Sequence, residues 1–114
     1  MLSLKKSSEF QRLFKSGKWY GDGVLSIYIE KNSKDSNRVG VAVGRKIAKS
    51  VKRNRIKRLI KESYRIHEKE INQGYNIIVV CKKDIDAEKI NFNEIEKNLV
   101  SCLEKASLMS CEIN

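Results

Sequence analysis

The residues best equipped for chemistry lie in one run, Val51-Lys52-Arg53-Asn54-Arg55-Ile56-Lys57-Arg58-Leu59-Ile60-Lys61. The arginines offer planar forks that pair with phosphate through two parallel hydrogen bonds, the lysines supply point charges, and Asn54 can donate and accept toward sugars or base edges. From Arg45 to Arg65 ten basic residues (Arg45, Lys46, Lys49, Lys52, Arg53, Arg55, Lys57, Arg58, Lys61, Arg65) stand against one acid, Glu62, a net of +9. The whole chain of 114 residues carries 24 Lys+Arg and 14 Asp+Glu, a formal +10, so everything outside this segment nearly cancels. A solvated helix face normally mixes both signs for support between residues four apart, and this one scarcely does. Such a segment is the electrostatic footprint of a phosphate-bearing partner.

A second constellation is aromatic. Phe10 and Phe14 share one helical stripe, Trp19 and Tyr20 follow it, and Tyr28 points away from the strand face that carries Leu25, Ile27 and Ile29. Some of these rings line a groove in which single-stranded bases stack, or the two phenylalanines are the core face of a two-turn helix. Tyr28 is harder to assign to a core, because its strand has an apolar face on the other side.

Catalytic constellations are missing from the sequence. Gly40 and Gly44 precede Arg45-Lys46 without the spacing of a phosphate-binding loop, and the single histidine, His67, has no nucleophile in a motif with it. The acids of 84 to 96, namely Asp84, Asp86, Glu88, Glu94 and Glu96, read as a turn and a helix start and do not form a paired carboxylate scaffold for two-metal chemistry. Cys81, Cys102 and Cys111 are odd in number and form no C-x-x-C pair, which favours reduced core thiols over disulfides or zinc. The longest aliphatic stretch, Ile77 to Cys81, falls far short of the roughly 20 residues of a membrane span, and the start lacks an apolar signal core. A cytoplasmic protein with no membrane partner is expected.

The elements that must position these groups follow from periodicity. Residues 8 to 16 read as a short amphipathic helix, with Ser8 and Gln11 as a capping-box-like start and Gly17 as a stop. Gly21-Asp22-Gly23 reads as a turn. Residues 24 to 31 and 38 to 44 alternate as strands, and the polar run Lys31 to Asn37 between them predicts a hairpin. Ser50 is a candidate N-cap for a helix to about Asn72. Ile56, Leu59, Ile60, Ser63, Tyr64, Ile66, His67 and Ile71 take its inner side, while Lys57, Arg58, Lys61, Arg65 and Lys69 take its outer side. Lys52 and Arg53 fall at inward azimuths in the first turn, where the chain end lets them splay out. Residues 75 to 82 read as an interior strand and about 92 to 108 as a closing helix, with Phe92, Ile95, Leu99, Cys102, Leu103 and Ala106 inward. The expectation is a single RNA-binding domain over residues 1–114, of α/β (α+β) class, with element order αββαβα.

These residues resemble a known family. The run from Arg38 to Glu62 is similar to the bacterial ribonuclease P protein component, which shows R-V/I-G-x-x-V-x-K/R-K followed by A-V-x-R-N-R-x-K-R-x-x-R-E. Glu9 to Gly17 matches the family's E-F-x-x-V/L-F-x-x-G, so the resemblance covers most of the chain. It implies a subunit that binds a large catalytic RNA and helps it remove the 5′ leader of precursor tRNA, with Mg2+ held mainly by the RNA and none by a protein motif. It implies a two-layer sandwich with a left-handed βαβ crossover. By the same resemblance Arg45, Lys46, Arg53, Asn54, Arg55, Lys57, Arg58 and Lys61 match the RNA-facing motif, which the charge pattern extends to Lys49, Lys52 and Arg65. Phe10, Phe14 and Tyr28 match positions lining the cleft for the single-stranded leader. Ribonuclease P RNA and the precursor leader are the partners implied, with no obligate protein partner. Ala48 and Ser50 replace the commoner Gly and Ala, Lys61 stands where Arg is usual, and the N-terminal basic tail is reduced to Lys5 and Lys6. The competing reading is a ribosome-associated or RNA-chaperone protein with the same basic helix and no processing role.

Overall fold

A computed structural model of the chain describes residues 1–44, 50–81 and 88–110. Among these residues three helices pack on one mixed five-stranded sheet. The elements run β1 (Leu2–Ser3), α1 (Ser7–Ser16), β2 (Lys18–Asp22), β3 (Leu25–Lys31), β4 (Arg38–Val43), α2 (Ser50–His67), a 3₁₀ turn (Glu68–Glu70), β5 (Tyr75–Cys81) and α3 (Phe92–Lys105). The spatial order is β1-β4-β5-β3-β2.

That order corrects the expected hairpin. β3 and β4 do not pair, because β5 lies between them, antiparallel to β3 and parallel to β4. The residues of β5 give the reason: Ile77, Ile78 and Val79 are all fully buried, and a strand apolar on both faces gains most from a central position. Two strands were not expected at all. β1 adds two residues parallel to β4, and β2 pairs antiparallel with β3, so Gly21 and Asp22 are strand and the turn falls at Gly23-Val24. The order therefore becomes βαβββαβα.

Alternation sorts the sheet into two faces. Leu25, Ile27 and Ile29 of β3, Val39 and Val43 of β4, and Ile77, Val79 and Cys81 of β5 form the main core with α2 and α3. α2 contributes Ile56, Ile60 and Tyr64 to that core, and α3 contributes Ile95, Leu99, Cys102 and Leu103. Asn91 caps α3 by accepting the Glu94 amide at 2.9 Å. Among the described residues the opposite face is covered by α1 and Leu4, where Leu13 meets Leu4 and Ile78 with Phe10, Tyr28, Ala42 and Val80 at the margin. Gly40 on β4 makes that seat possible, because a Cβ there would collide with the Phe10 ring.

Several boundaries differ from expectation. α1 starts at Ser7 with Lys6 as an N-cap that lends no side chain, so the Ser8 capping box is not formed. Helical geometry in α2 ends at His67 instead of Asn72. The chain tightens into the 3₁₀ turn, then Ile71 extends into the core and the Asn72 amide bonds Leu108 O at 2.8 Å, which returns the backbone toward β5. α3 ends at Lys105 instead of Leu108, and Leu108 is buried in the main core. Ile66, expected inward, is 57% exposed at the edge of the apolar stripe. Cys81 and Cys102 are buried free thiols, as expected, and burial pushes the Cys81 thiol up to about 11, so it stays protonated at neutral pH. Cys111, Asp84 and Asp86 lie outside the described residues. Among the described residues no helix is long and apolar enough to cross a membrane.

Candidate nucleic-acid interface

The outer side of α2 is the first surface. Asn54, Arg58, Lys61 and Arg65 are exposed and follow one another at spacings of four, three and four, which stacks them on one helical stripe. Lys57 lies beside them, half-buried. Among the described residues Lys57, Arg58, Lys61 and Arg65 have no hydrogen-bond or ion-pair partner, so four cations face solvent together along one helix. The first turn of α2 carries no acid.

The residues near the start of α2 behave differently from the splayed cations expected there. Lys52 pairs with Glu88, and Arg55 donates from Nη2 to Ile90 O at 3.1 Å. Arg53 is half-buried and partnered. Lys52 and Arg55 tie the segment before α3 onto α2, so their charge is shared between fold and surface. Sequence reasoning had no signal for this, because a cation that docks on a distant carbonyl looks the same in the sequence as one that does not. Arg45, Lys46 and Lys49 lie outside the described residues.

The second surface is the sheet face that α1 leaves partly open. Phe10, Phe14 and Tyr28 do come together there. Phe14 meets Tyr28 edge to face at a centroid separation of 5.0 Å and 85°, and Phe10 meets Phe14 at 6.4 Å and 61°. Phe10 is partly packed against the small cluster under α1, so the core reading is half right for it, whereas Phe14 is 43% exposed. Register places Tyr28, Ile78 and Gly40 in one row across β3, β5 and β4, and Ser26, Val80 and Ala42 in the next. The small residues Gly40, Ala42 and Ser26 thus flank Ile78 and Val80 beside the aromatic wall. Tyr20 turns to the other face and packs on the main core, so it is no part of this groove.

On the other side of α1 the face ends in a polar cluster. Arg38 on β4 forks onto Glu9, with Nη1 to Oε2 at 2.6 Å, and Arg12 pairs with Glu30 on β3, which also accepts from Asn76 Nδ2 at 2.8 Å. The Arg12 hydrogen bond, aided by Asn76, holds the Glu30 carboxyl below the usual carboxylate range. These pairs fix the azimuth of α1 over the sheet, and with it the placement of Phe10 and Phe14. Sequence patterning did not find them, since Glu9, Arg12 and Glu30 each look like ordinary solvated charges.

His67 ends α2 with Nε2 3.2 Å from Glu96 Oε2 of α3, which is a structural link between helices. Glu70 also approaches His67, with Oε2 3.6 Å from Nδ1, yet among the described residues no group of three His, Cys, Asp or Glu side chains is placed to hold a metal ion.

Comparison with known proteins identifies the family to which the fold belongs. The family model described as Ribonuclease P matches residues 1–107. The ribonuclease P protein component of Clostridium botulinum (strain Loch Maree / Type A3) is 40% identical over 106 residues, covering 92% of this chain and 94% of that one. The ribonuclease P protein of Staphylococcus aureus superposes with a TM-score of 0.84 at 29% identity over 96% of this chain and 99% of its own. That of Thermotoga maritima superposes with a TM-score of 0.83 at 28% identity over 92% and 97%. Motif, topology and near-complete coverage meet in one assignment: the chain belongs to the bacterial ribonuclease P protein component family, the protein subunit of the ribonucleoprotein endonuclease that matures tRNA 5′ ends.

Proposed function

We propose that this chain holds ribonuclease P RNA on the outer face of α2 and the 5′ leader of precursor tRNA in the aromatic groove, as a single domain in the cytoplasm. The observation that carries this reading is the placement of the two surfaces on opposite faces of one sheet. α2 seats its apolar side on the main-core face and turns its cations outward, while the rings sit on the face under α1. One rigid sheet then grips a structured RNA and a flexible strand at once without competition between them. Phosphate contacts supply most of the affinity, and stacking on the rings is tolerant of base identity, which suits a subunit that meets many leaders.

The same reading places Arg45, Lys46 and Lys49 with the RNA-facing group, and Lys52, Arg53 and Arg55 at its border with the fold. Mg2+ is assigned to the RNA, whose phosphates supply hard oxygen ligands, and not to protein side chains. The β4–α2–β5 unit, a parallel pair joined by a helix, is assigned the left-handed crossover of the family. The protein's part is positioning and charge neutralisation, so its effect is greatest where magnesium is scarce.

Reconstitution tests the reading. Purified protein added to the cognate RNA and precursor tRNA at low magnesium restores 5′ cleavage, and no stimulation would overturn it. For the groove, Phe14→Ala or Tyr28→Ala weakens holoenzyme affinity for precursors with leaders by roughly tenfold, from a stacking contribution of about 1–3 kcal/mol per base, and leaves leaderless tRNA unchanged. Equal losses on both substrates would return these rings to a packing role.

A further inference from the structure

Trp19 is the only tryptophan of the chain, and it is 55% exposed. It lies on β2 directly opposite Tyr28 of β3, and residues opposite each other in an antiparallel pair point to the same side of the sheet. Trp19 therefore belongs to the face that carries the aromatic groove, one strand beyond its present edge. Its ring does not fold back on the other aromatics: among the described residues the ring pairs are Phe10 with Phe14 and Phe14 with Tyr28. It lies instead along its own strand over Gly21, where a Cβ would sit 2.5 Å from Cζ2 and 2.7 Å from Cη2. With glycine beneath it, the indole rests against the backbone and turns its other π-face outward. An edge strand needs no exposed tryptophan for pairing, and an exposed indole beside a stacking groove gains its value from a ligand with a π-face.

We propose that Trp19 is a further stacking platform that extends the groove across β2 and takes one more base of the single-stranded leader than Phe10, Phe14 and Tyr28 do. This rests on the reading of the groove as the leader path. The occupant is a nucleotide base because the platform is continuous in register with that groove, across the Trp19–Tyr28 pair, and offers the same kind of π-face.

The sole tryptophan makes its own probe. Reconstituted holoenzyme is titrated with precursor tRNAs bearing progressively longer leaders, and indole fluorescence is followed. Quenching is expected only beyond a threshold leader length, and Trp19→Leu is expected to lose roughly tenfold in affinity beyond that same threshold and nothing below it. Trp19→Phe recovers part of the loss, because it restores a π-face, whereas leucine restores only apolar area. Gly21→Ala, which never touches the leader, displaces the indole and shifts the threshold response in the same direction. Trp19→Leu changes an exposed edge position, and its melting temperature, measured alongside, is expected to match that of the parent. If Phe14→Ala depends on leader length and Trp19→Leu does not, the platform is overturned and the groove stands. If neither does, both fall. Full quenching on adding the catalytic RNA alone would place the ring against that RNA, and a concentration-dependent spectral shift of the free protein would place it against a second copy; either overturns the proposal.

Discussion

Replacing Arg58, Lys61 and Arg65 together by alanine is expected to lower affinity for ribonuclease P RNA by roughly a hundredfold, at about 1 kcal/mol for each charge-assisted hydrogen bond to phosphate removed. It should also reduce the slope of log affinity against log salt by about 2 to 3, because each neutralised phosphate contributes about 0.7–0.9. All three side chains are exposed and none has a partner among the described residues, so nothing in the fold compensates for their charge or depends on it. Alanine also has the best helix propensity, and stability is expected to change by less than about 0.5 kcal/mol. Salt-titrated binding combined with thermal melting separates the two effects. An unchanged slope would show that this stripe does not meet phosphate. Arg53 and Arg55 are poorer probes of the same point: Arg55 also holds Ile90 and Arg53 is partnered, so their replacement changes both surface and fold.

Asn37→Ala is expected to produce the largest stability loss of any single polar substitution away from the RNA surface. Asn37 is buried between the end of α2, the chain leading into β5, and the start of β4. Its Nδ2 donates to Asn72 O at 2.9 Å and to Tyr64 Oη at 3.3 Å, and its Oδ1 accepts the Tyr75 amide at 2.8 Å. The backbone amide of Asn37 donates to Gln73 Oε1 at 3.0 Å. Alanine leaves the Tyr75 amide, the Asn72 carbonyl and the Tyr64 hydroxyl without these partners, and a buried group left unsatisfied costs about 1–3 kcal/mol. The sum is expected near ~3 kcal/mol, since some of the freed groups recover water at the domain margin. For a domain of this size that lowers the melting temperature by about 10 °C or slightly more. Tyr64→Phe, which removes one hydroxyl and keeps the packing, should cost about 1 kcal/mol. If Asn37→Ala melts within about 2 °C of the parent, the node does not hold these segments together.

Asn37 also shows where sequence reading stops. It stands at the end of a polar run, Lys31 to Asn37, that looks like solvated loop, and nothing local distinguishes the one residue whose amide will be buried. The long helices and β3, β4 and β5 were legible because each repeats an apolar position at its own period over several residues. β2 was not: Lys18-Trp19-Tyr20-Gly21-Asp22 is short, holds a glycine and has little alternation, and its strand geometry comes from pairing along β3. Strand order is further from local pattern still, because it depends on which edges meet. The one clue was that residues 77 to 79 are apolar on both faces, a property of a strand with neighbours on either side. The candidate site was half legible. Charge segregation marked α2, and the family resemblance selected Phe10, Phe14 and Tyr28 from the aromatics. The docking of Lys52 and Arg55 and the outward indole of Trp19 both depend on residues distant in sequence or on a strand that periodicity did not disclose.

The central place of β5 sets an order of events during synthesis. β4 has no neighbour other than the two residues of β1 until β5 has emerged, and the main core beneath α2 cannot close before then. Until that point α2 is a basic, amphipathic segment with nothing to bury its apolar side, and helices of this length are marginal alone in water. Non-local pairing costs loop-closure entropy before its contacts offset it, and parallel pairing across a helix forms late. The outer face of α2 and the floor beside the aromatic rings therefore acquire their shape in one step, once β5 has emerged. A nascent chain has its charge well before it has this shape, and on the reading proposed above selective assembly with RNA waits for β5 to take its place between β3 and β4.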